Sequence, residues 1–127
     1  MSFQPKDFLV WGELPVSDLN KAVAFYSRVT GAALEIDEGG PNPMVVFKPK
    51  DASAGVALNL YPGKPAGDGR GPTLHLAADG TLAEVMDRVF EAGGRVTSEP
   101  IDLPGGRFFY ATDPDGNSLG FYEGLAA

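Results

Sequence analysis

The chain has 127 residues, of which 43% are hydrophobic and 21% charged, and its formal net charge is −7. This length and composition fit one soluble globular domain, and the acidic balance disfavours binding to nucleic acid or to anionic membranes. The chain has no cysteine, which excludes disulfides, thiolate metal sites and a cysteine nucleophile. It also has no signal-peptide pattern at its start and no apolar run of membrane-spanning length, so we expect a cytoplasmic protein.

The first half of the chain predicts a strand, a helix and three further strands. Residues 8–16 alternate between an apolar face, which includes Phe8 and Val10, and a mixed face, and Pro15 favours an edge position. Ser17 and Asp18 are both good helix N-caps, and they precede apolar residues at helical spacing. We therefore expect a helix from about 19 to 30, ended by Gly31 in a left-handed conformation. Short strands are expected at 33–37, 44–48 and 56–61.

The second half predicts the same order of elements. Residues 62–72 contain four glycines and three prolines, and we interpret them as a linker between modules of about 7–62 and 72–124. After the linker we expect a strand at 73–77 and a helix with Thr81 as its N-cap and Gly93-Gly94 at its end. Further strands are expected at 95–98, 107–112 and 118–122, with a loop at 100–106 and a turn at 113–116.

An internal duplication links the two halves. Residues 55–63 and 116–124 share Gly, Leu, Tyr and Gly at the same four places, at an offset of 61 residues. Further upstream the offset is 62 residues, so that Glu13 corresponds to His75. Such a repeat indicates two modules that are built in the same way and share one core.

The predicted strands have one leucine-rich face and one face with polar and aromatic residues. We expect the leucine faces to pack against the helices, and a sheet face of the second kind commonly lines a cleft. Ser118 and Gly120 lie on this mixed face with the positions at which we predict ligand contacts: Trp11, Glu13, Asn59, Tyr61, Thr73, His75 and Tyr122. Two alternatives remain open, because the aromatic residues can fill the groove as core and the polar residues can simply hydrogen-bond one another.

Several local motifs resemble the vicinal oxygen chelate superfamily, which includes glyoxalase I, bleomycin-resistance proteins and extradiol dioxygenases. They are Val16-Ser17-Asp18-Leu19 with Ala24-Phe25-Tyr26 and Gly31, then Glu91-Ala92-Gly93-Gly94, and finally Asp113-Pro114-Asp115-Gly116-Asn117. The resemblance implies an α+β fold in which two βαβββ modules form one glyoxalase-like domain, with half-barrel sheets around a cavity. It also implies that the protein is a homodimer.

The resemblance further implies where a metal ion would bind. In metal-dependent members the ligands come from the first and last strand of each module, which here are Glu13, Asn59, His75 and Gly120. Glu13 and His75 can each bind a divalent ion, whereas Asn59 offers a neutral oxygen and Gly120 has no side chain. Two strong ligands are few for a catalytic site, so we expect no cofactor and no intact metal centre, with a divalent metal as the alternative.

Three hypotheses about function follow. The first is a glyoxalase/bleomycin-resistance-like protein that binds a small molecule between the half-barrels. The second is a metal-dependent lyase, isomerase or dioxygenase that acts on vicinal oxygens, with Glu13 and His75 holding the ion. The third is a non-catalytic interaction module whose cleft is closed by packing. No catalytic residue can be assigned from the sequence.

Overall fold

The computed structural model describes residues 2–51 and 57–124. The predicted start of the fourth strand at Val56, the repeat position Gly55 and most of the turn expected at 51–54 therefore lie outside the described residues. The described elements, in chain order, are β1 (Trp11–Val16), α1 (Leu19–Thr30), β2 (Ile36–Asp37), β3 (Met44–Phe47), β4 (Ala57–Pro62), β5 (Leu74–Ala77), α2 (Leu82–Glu91), β6 (Arg95–Val96), β7 (Ile101–Leu103), β8 (Gly106–Thr112) and β9 (Ser118–Gly124).

The duplication is also present in the structure, as two sheets of matching topology. The first sheet has the strand order β1-β4-β3-β2, and the second has β5-β9-β8-β6, with β7 paired to β8. In both sheets the first and last strands of the module are parallel neighbours, and the other pairings are antiparallel. This two-sheet, two-helix arrangement confirms the predicted α+β fold class.

Both helices begin and end at the predicted signals. The carboxylate of Asp18 accepts a hydrogen bond from the Lys21 backbone at 3.1 Å, and Gly31 ends α1 with φ of 84°. Thr81 caps α2 in a capping box with Glu84. Side chains from both helices and both sheets meet in one buried cluster, so the modules share a core as predicted. In the described part of the chain, neither helix is both long and apolar enough to cross a membrane.

Two strands are shorter than predicted, because β2 covers Ile36–Asp37 and not 33–37, and β6 covers Arg95–Val96 and not 95–98. Two other local predictions are wrong. The segment predicted as a loop at 100–106 contains the strand β7, because Ile101 to Leu103 find backbone partners along β8. Phe8 and Val10 were expected on a buried face, but they are 78% and 69% exposed. The reason is that the described β1–β4 ladder begins only at Trp11, and Leu14 is the first residue of β1 in the core.

The turn at residues 113–117, which we call the intermodule turn, joins the second module to the first. Asp113 is buried, and one of its carboxylate oxygens accepts from the Tyr26 hydroxyl of α1 at 2.7 Å and from the Asn117 amide at 2.9 Å. The same Asn117 amide donates to the Pro15 carbonyl oxygen of β1 at 2.9 Å. Burial, and next the Asp113 carboxylate, raise the pKa of Tyr26 well above its ordinary value.

A second set of contacts strengthens the same joint. Asp115 accepts hydrogen bonds from the Ser17 backbone at 3.0 Å and from the Ser17 hydroxyl at 2.5 Å. Ser17 therefore binds the other module, and Asp18 alone caps α1. A Cβ on Gly94 would lie 2.7 Å from the Phe25 ring, so the bare glycine allows α1 to approach the second module closely.

Candidate functional site

The strand register places the four positions of the predicted site in two matching pairs. Glu13 of β1 lies beside Asn59 of β4, and His75 of β5 lies beside Gly120 of β9. Both pairs occur where the first and last strands of a module run in parallel. The pairing thus follows the duplication, as the offsets in the sequence indicate.

The second pair contains a close contact between a ring and a bare backbone. A Cβ built on Gly120 would overlap the His75 imidazole, since it would lie 2.5 Å from the ring Cε1 and closer still to Nδ1. The imidazole therefore lies directly over Gly120 and occupies the space in which a longer residue at 120 would project. Gly120 is buried as a result, whereas His75 remains exposed on its other side.

Two aromatic side chains of β8 complete this part of the sheet. The His75 ring centroid lies 5.0 Å from Phe108 and 5.8 Å from Tyr110, and the two β8 rings are 5.0 Å apart in an edge-to-face arrangement. We call these three residues the aromatic cluster. Tyr110 is 38% exposed, so the cluster presents ring surface to solvent rather than only to the core.

Phe108 and Tyr110 are not among the site residues that the sequence predicts. Their spacing of two residues in a predicted strand places them on one face, but it does not say which face is turned away from the helices. The register answers that question, since Tyr110 pairs with Gly120 and Phe108 pairs with Tyr122.

The remaining predicted ligand contacts lie at different places on the mixed faces. The hydroxyls of Thr73 and Ser118 are 2.5 Å apart, and the Tyr122 hydroxyl donates to the Gly105 carbonyl oxygen at 2.9 Å. In the first module, Trp11 is 60% exposed and Tyr61 is 36% exposed.

The cavities do not gather these residues into one pocket. Among four cavities of the described part of the chain, Thr73 lines one of about 930 Å³ and His75 lines another of about 450 Å³. None of the four is lined by the other predicted contacts, Trp11, Glu13, Asn59, Tyr61 and Tyr122.

The fold and the repeated strand pairing define a domain of the glyoxalase type. The model of the Glyoxalase/Bleomycin resistance protein/Dioxygenase superfamily matches residues 8–121, and the chain belongs to this family. Members of the family often use a divalent metal ion.

Curated relatives agree with this assignment. The chain is 30% identical over 118 residues to the lactoylglutathione lyase of Salmonella typhimurium, covering 87% of both chains. It is 34% identical over 113 residues to CFP32 of Mycobacterium tuberculosis, whose name suggests a glyoxylase. That match covers 85% of this chain but only 41% of the mycobacterial protein, so the chain spans about two fifths of that relative's length.

Solved structures show the same fold. A glyoxalase/bleomycin resistance protein from Albidiferax ferrireducens superimposes with a TM-score of 0.69 at 20% identity, covering 91% of this chain and 98% of that one. A glyoxalase/bleomycin resistance protein from Streptomyces sp. has a TM-score of 0.60 at 30% identity, covering 89% and 97%. The fosfomycin resistance protein FosX of Listeria monocytogenes has a TM-score of 0.66 at 20% identity, covering 90% and 88%.

The residues at the family's metal positions do not form a complete donor set in this chain. Glu13 offers a carboxylate and Asn59 an amide oxygen, but at Gly120 the imidazole of His75 lies where a ligand side chain would project. Within residues 2–51 and 57–124, no three His, Asp or Glu side chains are grouped so that they could hold an ion. Glu123 does not supply the missing acid, because the unbroken β8–β9 register places it on the face opposite Gly120.

Proposed function

We propose that this chain is a small-molecule-binding protein of the glyoxalase/bleomycin-resistance type that works without an intact metal centre. The ligand would lie on the mixed faces of the two sheets, with its flat or apolar part against the aromatic cluster. The single observation that supports this most is the His75 ring, which lies over Gly120 and contacts Phe108 and Tyr110. It substitutes a partly exposed aromatic surface for a metal ligand.

The chemistry of that surface favours binding by stacking. Edge-to-face ring clusters hold their members in fixed orientations, and an exposed ring face attracts flat or aromatic ligands. Tyr110 also offers its hydroxyl group. This hydroxyl makes no hydrogen bond to another described residue. Two neighbouring positions predicted for ligand contact flank the cluster: Thr73 just before β5 and Tyr122 on β9.

A homodimer is part of this proposal. Phe8, Val10 and Trp11 are 78%, 69% and 60% exposed, and they lead directly into β1, an edge strand of the first sheet. An apolar strip beside an unpaired strand edge is a surface that a second copy of the chain can cover. Sedimentation should then show a dimer that Val10→Lys weakens, and a monomeric wild-type protein would contradict this part of the proposal.

Binding can be tested with a library of flat organic molecules, using ligand-observed NMR or the shift in melting temperature. Compounds that bind the wild type should lose affinity for Tyr110→Ala and His75→Ala. Phe90→Ala is the matched control, because Phe90 is an aromatic residue that is 79% exposed on α2, away from the sheet face. Equal losses in all three variants, or none in any, would refute binding at the aromatic cluster.

The metal-dependent alternative has its own test. Similarity to lactoylglutathione lyase, together with the side-by-side placement of Glu13 with Asn59, favours it as the second candidate. The protein should be dialysed, its metal content measured, and its melting temperature recorded with Zn, Ni, Mn and Fe(II). A stoichiometric ion that is lost in Glu13→Ala and His75→Ala would replace the metal-free proposal with a lyase, isomerase or dioxygenase.

A further inference from the structure

One row of side chains across the second sheet adds Arg95 and Thr112, which the proposed function does not use, to Thr73 and Ser118 of the mixed face. Arg95 of β6 pairs with Thr112 of β8, and Thr112 pairs with Ser118 of β9. Thr73 stands just before β5 and shares a hydrogen bond with Ser118. We call these four residues the hydroxyl row. The row lies two residues along the chain from Tyr110 and His75 of the aromatic cluster, on the same face of the sheet.

The hydroxyl row forms part of the wall of a cavity of about 930 Å³. All four of its residues line this cavity, together with Thr97 and Tyr110, so the cavity extends from the row to the aromatic cluster. Linker residues 67–69 and the intermodule turn form another side. The Gly69 backbone N–H donates to the Gly116 carbonyl oxygen at 2.7 Å, which fixes the linker against the turn.

Several hydrogen-bond donors of the hydroxyl row have no acceptor among the described residues. Arg95 is exposed, and its side chain makes no hydrogen bond or ion pair with any other described residue. The Thr112 hydroxyl likewise has no partner among the described residues. In the pair formed by Thr73 and Ser118, either hydroxyl can donate, and the other then keeps a free proton.

Three acids also line the cavity, and two of them are already engaged. Asp113 accepts from Tyr26 and Asn117, and Asp115 accepts from Ser17, so their carboxylates are held by donors outside the cavity. The third acid, Asp68, makes no hydrogen bond or ion pair from its side chain to the described residues. All three carboxylates oppose an anionic ligand, because the donors that bind Asp113 and Asp115 are uncharged. Of the three, Asp68 is the acid whose charge can be removed without breaking a described hydrogen bond, so its removal should strengthen binding.

We propose that the Arg95 end of this cavity binds an oxyanion group, either a carboxylate or a phosphoryl group, of a small molecule. A guanidinium group with several hydroxyl donors is the set that proteins use for such groups, because charge-assisted hydrogen bonds are the strong ones. At a strand spacing of about 4.8 Å the row spans roughly 14 Å, so the head group lies near Thr112 and Ser118, which the long Arg95 side chain can reach. The remainder of the molecule lies against the aromatic cluster, so the inference rests on the proposed function.

The test uses phenyl phosphate and benzoate as anionic probes and benzyl alcohol as the uncharged control. Each is titrated into the full-length protein while backbone amide shifts are followed by NMR. Both anions should bind saturably and shift amides near Arg95, Thr112 and Tyr110, and benzyl alcohol should bind at least ten-fold more weakly. Arg95→Met should weaken anion binding roughly ten-fold or more. Arg107→Met should leave it within two-fold, because Arg107 is an exposed arginine of β8 that does not line the cavity.

The outcomes separate this inference from the proposed function. Equal binding of all three probes, or anion binding that Arg95→Met does not change, overturns the oxyanion site while leaving ligand binding at the aromatic cluster intact. Binding of none of the probes by the wild type also overturns the inference, and the library screen then decides the proposed function separately. Asp68→Asn provides a second test if Arg95→Met does not fold, since it should tighten phenyl phosphate binding. An unchanged or weaker affinity contradicts the proposal.

Discussion

Replacing Asp113 with alanine tests the physical role of the intermodule turn. The carboxylate is 3% exposed and accepts four hydrogen bonds: from the Tyr26 hydroxyl, from the Asn117 side-chain amide, and from the backbone N–H groups of Asp115 and Asn117. Asp113→Ala leaves these donors without their acceptor. It therefore loosens the turn itself and the contact between the turn and α1.

The expected loss in the free energy of unfolding can be estimated from these four hydrogen bonds. A hydrogen bond to a charged group contributes about 1.5–3 kcal/mol, so simple addition over the set would give more than about 6 kcal/mol. The contributions are not additive, and water can enter where the carboxylate was, so we expect a loss of about 3–5 kcal/mol. That loss is a large part of the roughly 5–15 kcal/mol by which a domain of this kind is stable.

The assay is equilibrium unfolding in urea, followed by far-UV circular dichroism. Asp87→Ala is the matched control, because Asp87 is an exposed acid on α2, and it should change stability by less than about 0.5 kcal/mol. If Asp113→Ala does not fold, Tyr26→Phe removes one donor of the same network and should cost about 1–2 kcal/mol. If Asp113→Ala lowers the free energy of unfolding by no more than the control does, this turn does not hold the two modules together.

Two further predictions concern the same parts of the molecule. Gly120→Ala should push the His75 ring off the aromatic cluster and cost about 1–3 kcal/mol. The matched change Gly124→Ala should cost little, since the nearest atom to a Cβ there is 3.6 Å away, and an unshifted His75 ring signal in Gly120→Ala would contradict the contact. Because the folded-state pKa of Tyr26 is raised, its contribution to stability is present below about pH 10 and is lost as the pH rises further. Stability should therefore fall more steeply above pH 10 in the wild type than in Tyr26→Phe, and parallel slopes would show that this hydroxyl does not ionise as expected.

The helices and most turns could be predicted because their signals are local. Asp18 and Thr81 cap the helices, and Gly31 and Gly116 adopt positive φ angles where the sequence predicts the end of a helix and a turn. A capping side chain binds backbone groups only a few residues away, so no knowledge of the rest of the fold is needed. The strand β7 was missed for the opposite reason, since it is a strand only through its pairing with β8.

The candidate site was only partly predictable. The duplication predicted that the pair Glu13 and Asn59 in the first module is equivalent to the pair His75 and Gly120 in the second. The strand register agrees with this equivalence. The aromatic cluster and the hydroxyl row depend on which β8 side chains face away from the core. That choice is made by packing between distant strands, and neither composition nor spacing specifies it.

The sequence alone determined the repeated order of strands and helices, the capping residues and the family, because each depends on short-range patterns or on the comparison of one half with the other. Only the tertiary structure decided that His75 lies over Gly120 and that Asp113 binds Tyr26 of the first module. It also decided that Arg95 shares a cavity with the hydroxyls of Thr73, Thr112 and Ser118. These features join residues that are tens of positions apart. Their geometry follows from how the two sheets pack, since a side chain's surroundings are set by neighbours in space and not by neighbours in the chain.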